Sequence, residues 1–226
     1  MIMHGRIRNL IPVFCVGILY LIAFFLLENR DVPVHIIQGK VDNLIPFCEY
    51  FIIPYLLWFF YVAATILYFA CVNKNQEEYK QLCVNLLTGM IVFLVISFIY
   101  PNGQNLRPAL SGGNIFRQMV IHLYETDTAT NILPSLHVFY STVCCIALVR
   151  NESIKKNRLL KMFIYVLTIS IILSTMFLKQ HSIIDVVMAL LMNGICSQLF
   201  YNNSYSVWKI RSAHMRTRHK RKGIEL

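Results

Sequence analysis

The chain carries six runs of uncharged or nearly uncharged residues, over 10–27, 51–72, 82–100, 133–149, 159–178 and 183–200. Each has about the length a helix needs to cross roughly 30 Å of hydrocarbon. All six are apolar around most of their circumference, so length rather than periodicity identifies them. Inside a bilayer every backbone N–H and C=O must be bonded within the spanning structure, which makes each run a helix. The expected fold is therefore all-α, a polytopic bundle of six transmembrane helices, with residues 1–226 forming one membrane domain. Composition agrees: at 57% hydrophobic and 14% charged residues the chain is too apolar for a soluble domain of this size. The run at 133–149 is the shortest and contains His137, which makes that residue informative.

The distribution of cations sets the expected orientation. Sixteen of the 21 Lys and Arg residues fall in the N-terminal arm, in the loop near residues 73–81, in the loop after the fourth run, and in the tail. Arg30, Lys40, Arg107, Arg117 and Lys179 are left for the other side. An excess of Lys and Arg marks the cytoplasmic side, so both termini are expected there. The net charge of +10 thus reflects membrane orientation rather than nucleic-acid binding. The basic tail, about 209–226, is expected to rest on anionic headgroups. The same count puts the loop 101–132, the start of the fourth run and the turn between the fifth and sixth on one outer face.

The seven Cys follow no metal-binding spacing, and most lie within apolar runs, as small packing residues do. The first run lacks the small-residue site that follows a cleaved signal peptide. Between 114 and 125, Ile115, Phe116, Met119, Val120 and Leu123 recur at helical spacing. This predicts an amphipathic helix that either lies in the interface as a lid or packs on the bundle. The polar segment 28–50 is placed on the outer surface, with no chemistry assigned. There is no internal repeat and no glycine-rich phosphate loop.

Ionisable residues at a membrane edge are costly and usually functional. Four gather on the expected outer face: His137, Lys179, His181 and Asp185. Pro134 suits a first helical turn, so Ser135 and its neighbours present a hydroxyl and free N–H groups at a positive helix end, where an anion binds. Arg107 can grip phosphate oxygens in a bidentate way, and Lys179 adds a point charge. His181 and Asp185 stand four residues apart and share a helical face. The carboxylate can then hold one imidazole nitrogen and leave the other to attack phosphorus. A protonated His137 can hand its proton to the departing oxygen.

These residues resemble the motifs of the type 2 phosphatidic acid phosphatase superfamily, which shares its site with vanadium haloperoxidases. The family pattern K-x6-R-P, P-S-G-H and S-R-x5-H-x3-D is met by YPNGQNLRP at 100–108, PSLH at 134–137 and STMFLKQHSIID at 174–185. The resemblance implies six helices with an outward-facing site, phosphate held by Arg107 and Ser135, His137 as general acid, and His181 as the nucleophile that becomes a phosphohistidine, oriented by Asp185. It implies no metal and no cofactor. Tyr100, Leu136 and Thr175 depart from the motifs, so two usual cations are replaced, and Lys179 is an extra cation that can substitute for one. The Pro-Ser-Leu-His form is similar to the branch containing inositol phosphorylceramide synthases.

The expected activity is therefore metal-independent hydrolysis of a lipid phosphate or pyrophosphate, with transfer to a lipid acceptor as the alternative. The expected setting is a bacterial cytoplasmic membrane with the site outside. A non-catalytic lipid-binding relative is the reading suggested by Tyr100 and Thr175. A transporter is disfavoured, because Asn85, Thr88, Asn193 and Gln198 suit interhelical hydrogen bonds.

Overall fold

The computed structural model describes residues 10–202. Arg6, Arg8 and the basic tail lie outside the described residues. The described residues are 72% helical. In order, the helices are α1 (Leu10–Glu28), α2 (Ile52–Leu67), α3 (Gln76–Ile99), α4 (Ile115–Thr126), α5 (Leu136–Arg150), α6 (Arg158–Phe177) and α7 (Ile183–Ser197). A 3-10 turn, Glu49–Phe51, leads into α2, and π turns extend α2 through Val72 and α7 through Asn202. Side-chain caps fix the helix starts. Asn75, Asn114, Ser135, Asn157 and Ser182 each accept a hydrogen bond from an N–H of the first turn they precede.

Five stretches are long and apolar enough to cross a membrane: Leu10–Glu28, Glu49–Val72, Gln76–Ile99, Arg158–Phe177 and Ile183–Tyr201. The chain is thus an integral membrane protein in its build. The sixth expected span falls short. The run at 133–149 forms a helix of 15 residues, Leu136–Arg150, about 22 Å long at 1.5 Å per residue. Its ends explain the shortening. Pro134 lies before the cap instead of inside the first turn, Ser135 takes the cap position, and Asn151 turns the chain out after Arg150.

That short helix is the centre of the bundle. α5 packs against α2, α3, α6 and α7, and its Val138, Phe139, Val143 and Cys144 are fully or almost fully buried. Phe69, Leu82, Ile171 and Ala189 from the surrounding helices complete this core. α3 approaches α5 through Gly89, where a Cβ would stand 2.5 Å from the Phe139 ring. α1 contributes no buried residue and lies mainly along α3.

At one end of the bundle the connecting segments form a layer over the helix ends. β1 (His35–Ile36) pairs in parallel with β2 (Asn102–Gly103), and Gly103 bridges to Thr130. A Cβ on Gly103 would stand 2.7 Å from the Ala129 carbonyl oxygen, so the close approach requires glycine. Buried Asn102 fastens the layer, since its Oδ1 accepts from the N–H groups of Ile132 and Leu133, both at 2.9 Å.

The segment 28–50, to which the sequence assigned no chemistry, is a strap across this end. Arg30 donates to the Ser97 carbonyl at 2.6 Å. Asp42, 2% exposed, accepts from the N–H of Gly39 and from the N–H of Ile183 at the start of α7, each at 2.7 Å. Of the two readings of α4, the structure shows a helix packed on the bundle. Val120 is buried with Ile52, Tyr55 and Leu178, and Asn114 and Arg117 hydrogen-bond to Glu49 at the entrance to α2.

Candidate active site

The turn between α6 and α7 is built so that its side chains converge. The carbonyl of Thr175 accepts from the N–H groups of both Gln180 and His181, at 2.9 and 3.0 Å. Lys179 adopts a left-handed conformation, φ 53°, that reverses the chain between them. Ser182 then opens α7 through a capping box, its Oγ accepting from Asp185 N–H while Asp185 Oδ2 accepts from Ser182 N–H at 2.9 Å. The Asp185 carbonyl accepts from Ser135 N–H at 3.4 Å, tying the start of α7 to the start of α5. Two helix ends are thereby registered to each other, and each carries a histidine.

The His137 and His181 rings lie 5.8 Å apart between centroids. His181, 8% exposed, has its Nδ1 3.4 Å from Oδ2 of the fully buried Asp185. The expected pairing is present, but across the turn and not along one helical face, because His181 precedes the Ser182 cap and only Asp185 lies in α7. His137 sits in an aromatic box, with Tyr55 at 4.6 Å and Trp58 at 4.2 Å between ring centroids. Both histidines open onto a cavity of about 80 Å³. Tyr20, Phe24 and Phe93 form its apolar side, and Asp127, Thr130, Asn131 and Gln180 its polar side.

Arg107 stands behind that wall. Its guanidinium donates to Gln180 Oε1 and to the Thr128 carbonyl at 2.9 Å, and lies 4.5 Å from the centroid of the Tyr124 ring. Burial lowers its pKa from the usual arginine value, and the nearby Asp127 carboxylate opposes that shift. Asp127 also accepts from the Tyr55 hydroxyl at 3.1 Å.

The other two expected phosphate ligands have structural partners. Ser135 is fully buried and its Oγ caps α5 through Val138 N–H at 3.4 Å. The Lys179 ammonium donates to the carbonyls of Asp42 and Ile45 in the strap. Burial lowers the Lys179 pKa, opposed by the Asp42 carboxylate. Neither residue lines the cavity. Of the expected site residues, His137 and His181 line the cavity, Asp185 backs His181, Arg107 reaches the wall through Gln180, and Ser135 and Lys179 lie in the frame around them.

Several buried polar atoms here make no hydrogen bond: Arg107 Nε, His137 Nε2, Gln180 Nε2, Asp185 Oδ1 and His181 Nδ1, the last within 3.4 Å of Asp185 Oδ2. Buried polar groups are nearly always satisfied, so such a concentration marks a place where charge and hydrogen bonds are held ready. Among the described residues, no three His, Cys, Asp or Glu side chains come together in a group able to hold a metal ion.

At the departures from the motif, Tyr100 stacks on His35 at 4.5 Å between centroids. Thr175 donates its hydroxyl to the Ile172 carbonyl. Neither position supplies a cation.

Gln180, Asp127 and Asp42 belong to this end of the molecule and were missed by sequence reasoning. Gln180 had a local signal, being next to His181. Asp127 and Asp42 reach the site only through the folding of long connections, and spacing gives no sign of them.

The model of the PAP2 superfamily matches residues 80–209, more than half of the chain and all of the elements that carry the two histidines. The chain belongs to the PAP2 superfamily. Its members are generally phosphatases and phosphotransferases, which supports a phosphoric-ester hydrolase role here. Comparison with curated proteins and with solved structures gives no match.

Proposed function

We propose that this protein is a single-domain, six-span membrane phosphatase that removes phosphate from a lipid phosphate or pyrophosphate. The site faces outward from a bacterial cytoplasmic membrane and both termini are cytoplasmic. The observation that carries the reading is the pair of histidines 5.8 Å apart, one of them backed by a buried carboxylate. Asp185 holds Nδ1 of His181, so Nε2 attacks phosphorus. The P–O bond to the lipid breaks as the N–P bond forms, and His137 gives its proton to the departing oxygen. Water then attacks the phosphohistidine, the N–P bond breaks, and the proton returns to His137. Arg107, joined to the cavity through Gln180, stabilises charge on the phosphoryl oxygens, with the N–H groups at the start of α5 behind it. Lys179 stays with the carbonyls of Asp42 and Ile45, and in this reading the phosphate is held without it.

The test is phosphate release by the purified protein over a panel of lipid phosphates and pyrophosphates, with EDTA present. Release persists in EDTA and falls on the order of 10³-fold or more in His181→Ala. Undiminished release by that variant removes His181 as nucleophile. Because His181 acts neutral and His137 acts protonated, rate against pH is bell-shaped. A rate that climbs steadily to high pH removes His137 as the acid.

Transfer to a lipid alcohol is the second reading. Leu136 favours it, because it stands in the cavity wall and makes the space beside the histidines more apolar. Repeating the assay with alcohol-bearing lipid acceptors separates the two.

A further inference from the structure

Gln180 directly precedes His181, is 2% exposed, and lines the cavity together with both histidines. The turn that carries it is pinned at three carbonyls. Thr175 accepts from the Gln180 N–H at 2.9 Å, Lys179 accepts from Gln104 Nε2 at 2.7 Å, and Leu178 accepts from the Tyr124 hydroxyl at 2.7 Å. The side chain therefore starts from a fixed backbone.

The orientation of its amide follows from chemistry. Arginine has no acceptor, so the atom that meets Arg107 Nη2 has to be the amide oxygen, Oε1. The two N–H groups of Nε2 are thereby turned away from the guanidinium. Nε2 is buried and makes no hydrogen bond. Burying a donor without a partner is costly, which marks a place where a ligand supplies the acceptor. A cation on the amide oxygen also polarises the group, so its N–H bonds are stronger donors than those of a free glutamine.

Other groups around the cavity are committed elsewhere. Thr130 and Asn131 donate to Glu28, and Asp127 accepts from Tyr55. Among the described residues lining the cavity there is no lysine or arginine. Arg107 gives Nη1 to the Tyr124 carbonyl and Nη2 to that of Thr128, and although its Nε is unpaired, the residue does not line the cavity. Its charge reaches the wall by way of Gln180.

We infer that Gln180 is a catalytic residue whose Nε2 donates to a phosphoryl oxygen, and that Arg107 is a positioning residue acting through it. This rests on the histidine reading above and names the group that meets phosphate in that reaction. Charge on the transferring group is spread over its nonbridging oxygens. A donor already fixed in place meets that charge without reorganising.

The first test reads binding without turnover, by calorimetric titration of the full-length protein in detergent with inorganic phosphate. Gln180→Met keeps the length of the side chain and removes the donor. Gln180→Glu keeps an oxygen toward Arg107, gains an ion pair with it, and replaces the donor by a second oxygen. Both weaken phosphate binding at least tenfold, and the unfolding midpoint of Gln180→Glu is not lowered. Wild-type affinity in Gln180→Glu would make the side chain a tether for Arg107 and overturn the proposal, as would a wild type that binds no phosphate.

The relay is tested by adding Arg107→Met. Alone it weakens phosphate binding at least fivefold, and in the Gln180→Met background it weakens it less than twofold further. Losses that multiply would put Arg107 itself on the phosphate and overturn the assignment. With phosphatidic acid as substrate, Gln180→Met lowers kcat/KM about 10²-fold or more. Full activity in His181→Ala would instead strike the histidine mechanism, and phosphate binding would still judge Gln180.

Discussion

α5 and α1 are both apolar helices, and they do opposite things. α5, 15 residues long, buries nine of them and touches four other helices. α1, 19 residues long with a mean hydropathy of 2.8, buries none. The more apolar helix is the outer one because lipid tails are as apolar as leucine and exert no pressure to bury it. The central helix is held by shape and hydrogen bonds instead. Its Tyr140 reaches across to the Leu86 carbonyl of α3 at 3.0 Å, while Ser141 and Thr142 turn their hydroxyls back onto the His137 and Val138 carbonyls of the same helix. In this protein, polarity inside an apolar run marks depth within the bundle, and depth is where the histidine is.

The sharpest break of that comparison is a matched pair of aromatic truncations. Phe139→Ala removes a fully buried ring from α5 and should cost about 3–5 kcal/mol of stability through lost contacts and the cavity left behind. Phe14→Ala removes a ring of α1 that is 70% exposed and should change stability by less than about 0.5 kcal/mol. Unfolding in mixed micelles measures both. Equal losses would mean that α1 has a tight partner in the folded protein and that the contrast between the helices is false.

A smaller effect comes from Gly89, where α3 meets α5. An added Cβ would lie 2.5 Å from the Phe139 ring, so the ring or the helix must shift. Gly89→Ala should destabilise by about 1–3 kcal/mol, read as a lower unfolding midpoint. Unchanged stability would show that the two helices sit further apart than the structure places them.

Much of this was legible before folding was known, and what was not has a common cause. The helices came from length and apolarity, the helix at 114–125 from its apolar spacing, and the His181 and Asp185 pairing from four-residue spacing. All of these are local. The fourth run was read as starting too early because apolarity continues through Leu133 and Pro134, while the helix itself begins only after the Ser135 cap. Lys179 was assigned to phosphate because it lies two residues from His181, but a left-handed turn at that residue sends its ammonium to the strap. Asp42 and Asp127 are separated in sequence from what they touch by 141 and 72 residues respectively. No spacing rule reports contacts of that range, and such contacts decide which charges reach the cavity.

The smallest expected effect tests the outer helix most directly. Gly17 lies in the middle of α1 with nothing within 4 Å of where its Cβ would stand. Alanine there adds no clash and removes the backbone freedom that makes glycine a poor helix former, a change worth at most about 1 kcal/mol in favour of the folded state. The substitution is chemically the same as at Gly89, so the two variants differ only in what the new methyl meets. Gly17→Ala should leave the unfolding midpoint unchanged or slightly raised, where Gly89→Ala lowers it. A loss of more than about 1 kcal/mol at Gly17 would mean that a neighbour packs closely on α1 in the assembled protein. Repeating the measurement across protein concentration would then show whether that neighbour is a second copy of the chain, because only an intermolecular contact makes the loss depend on dilution.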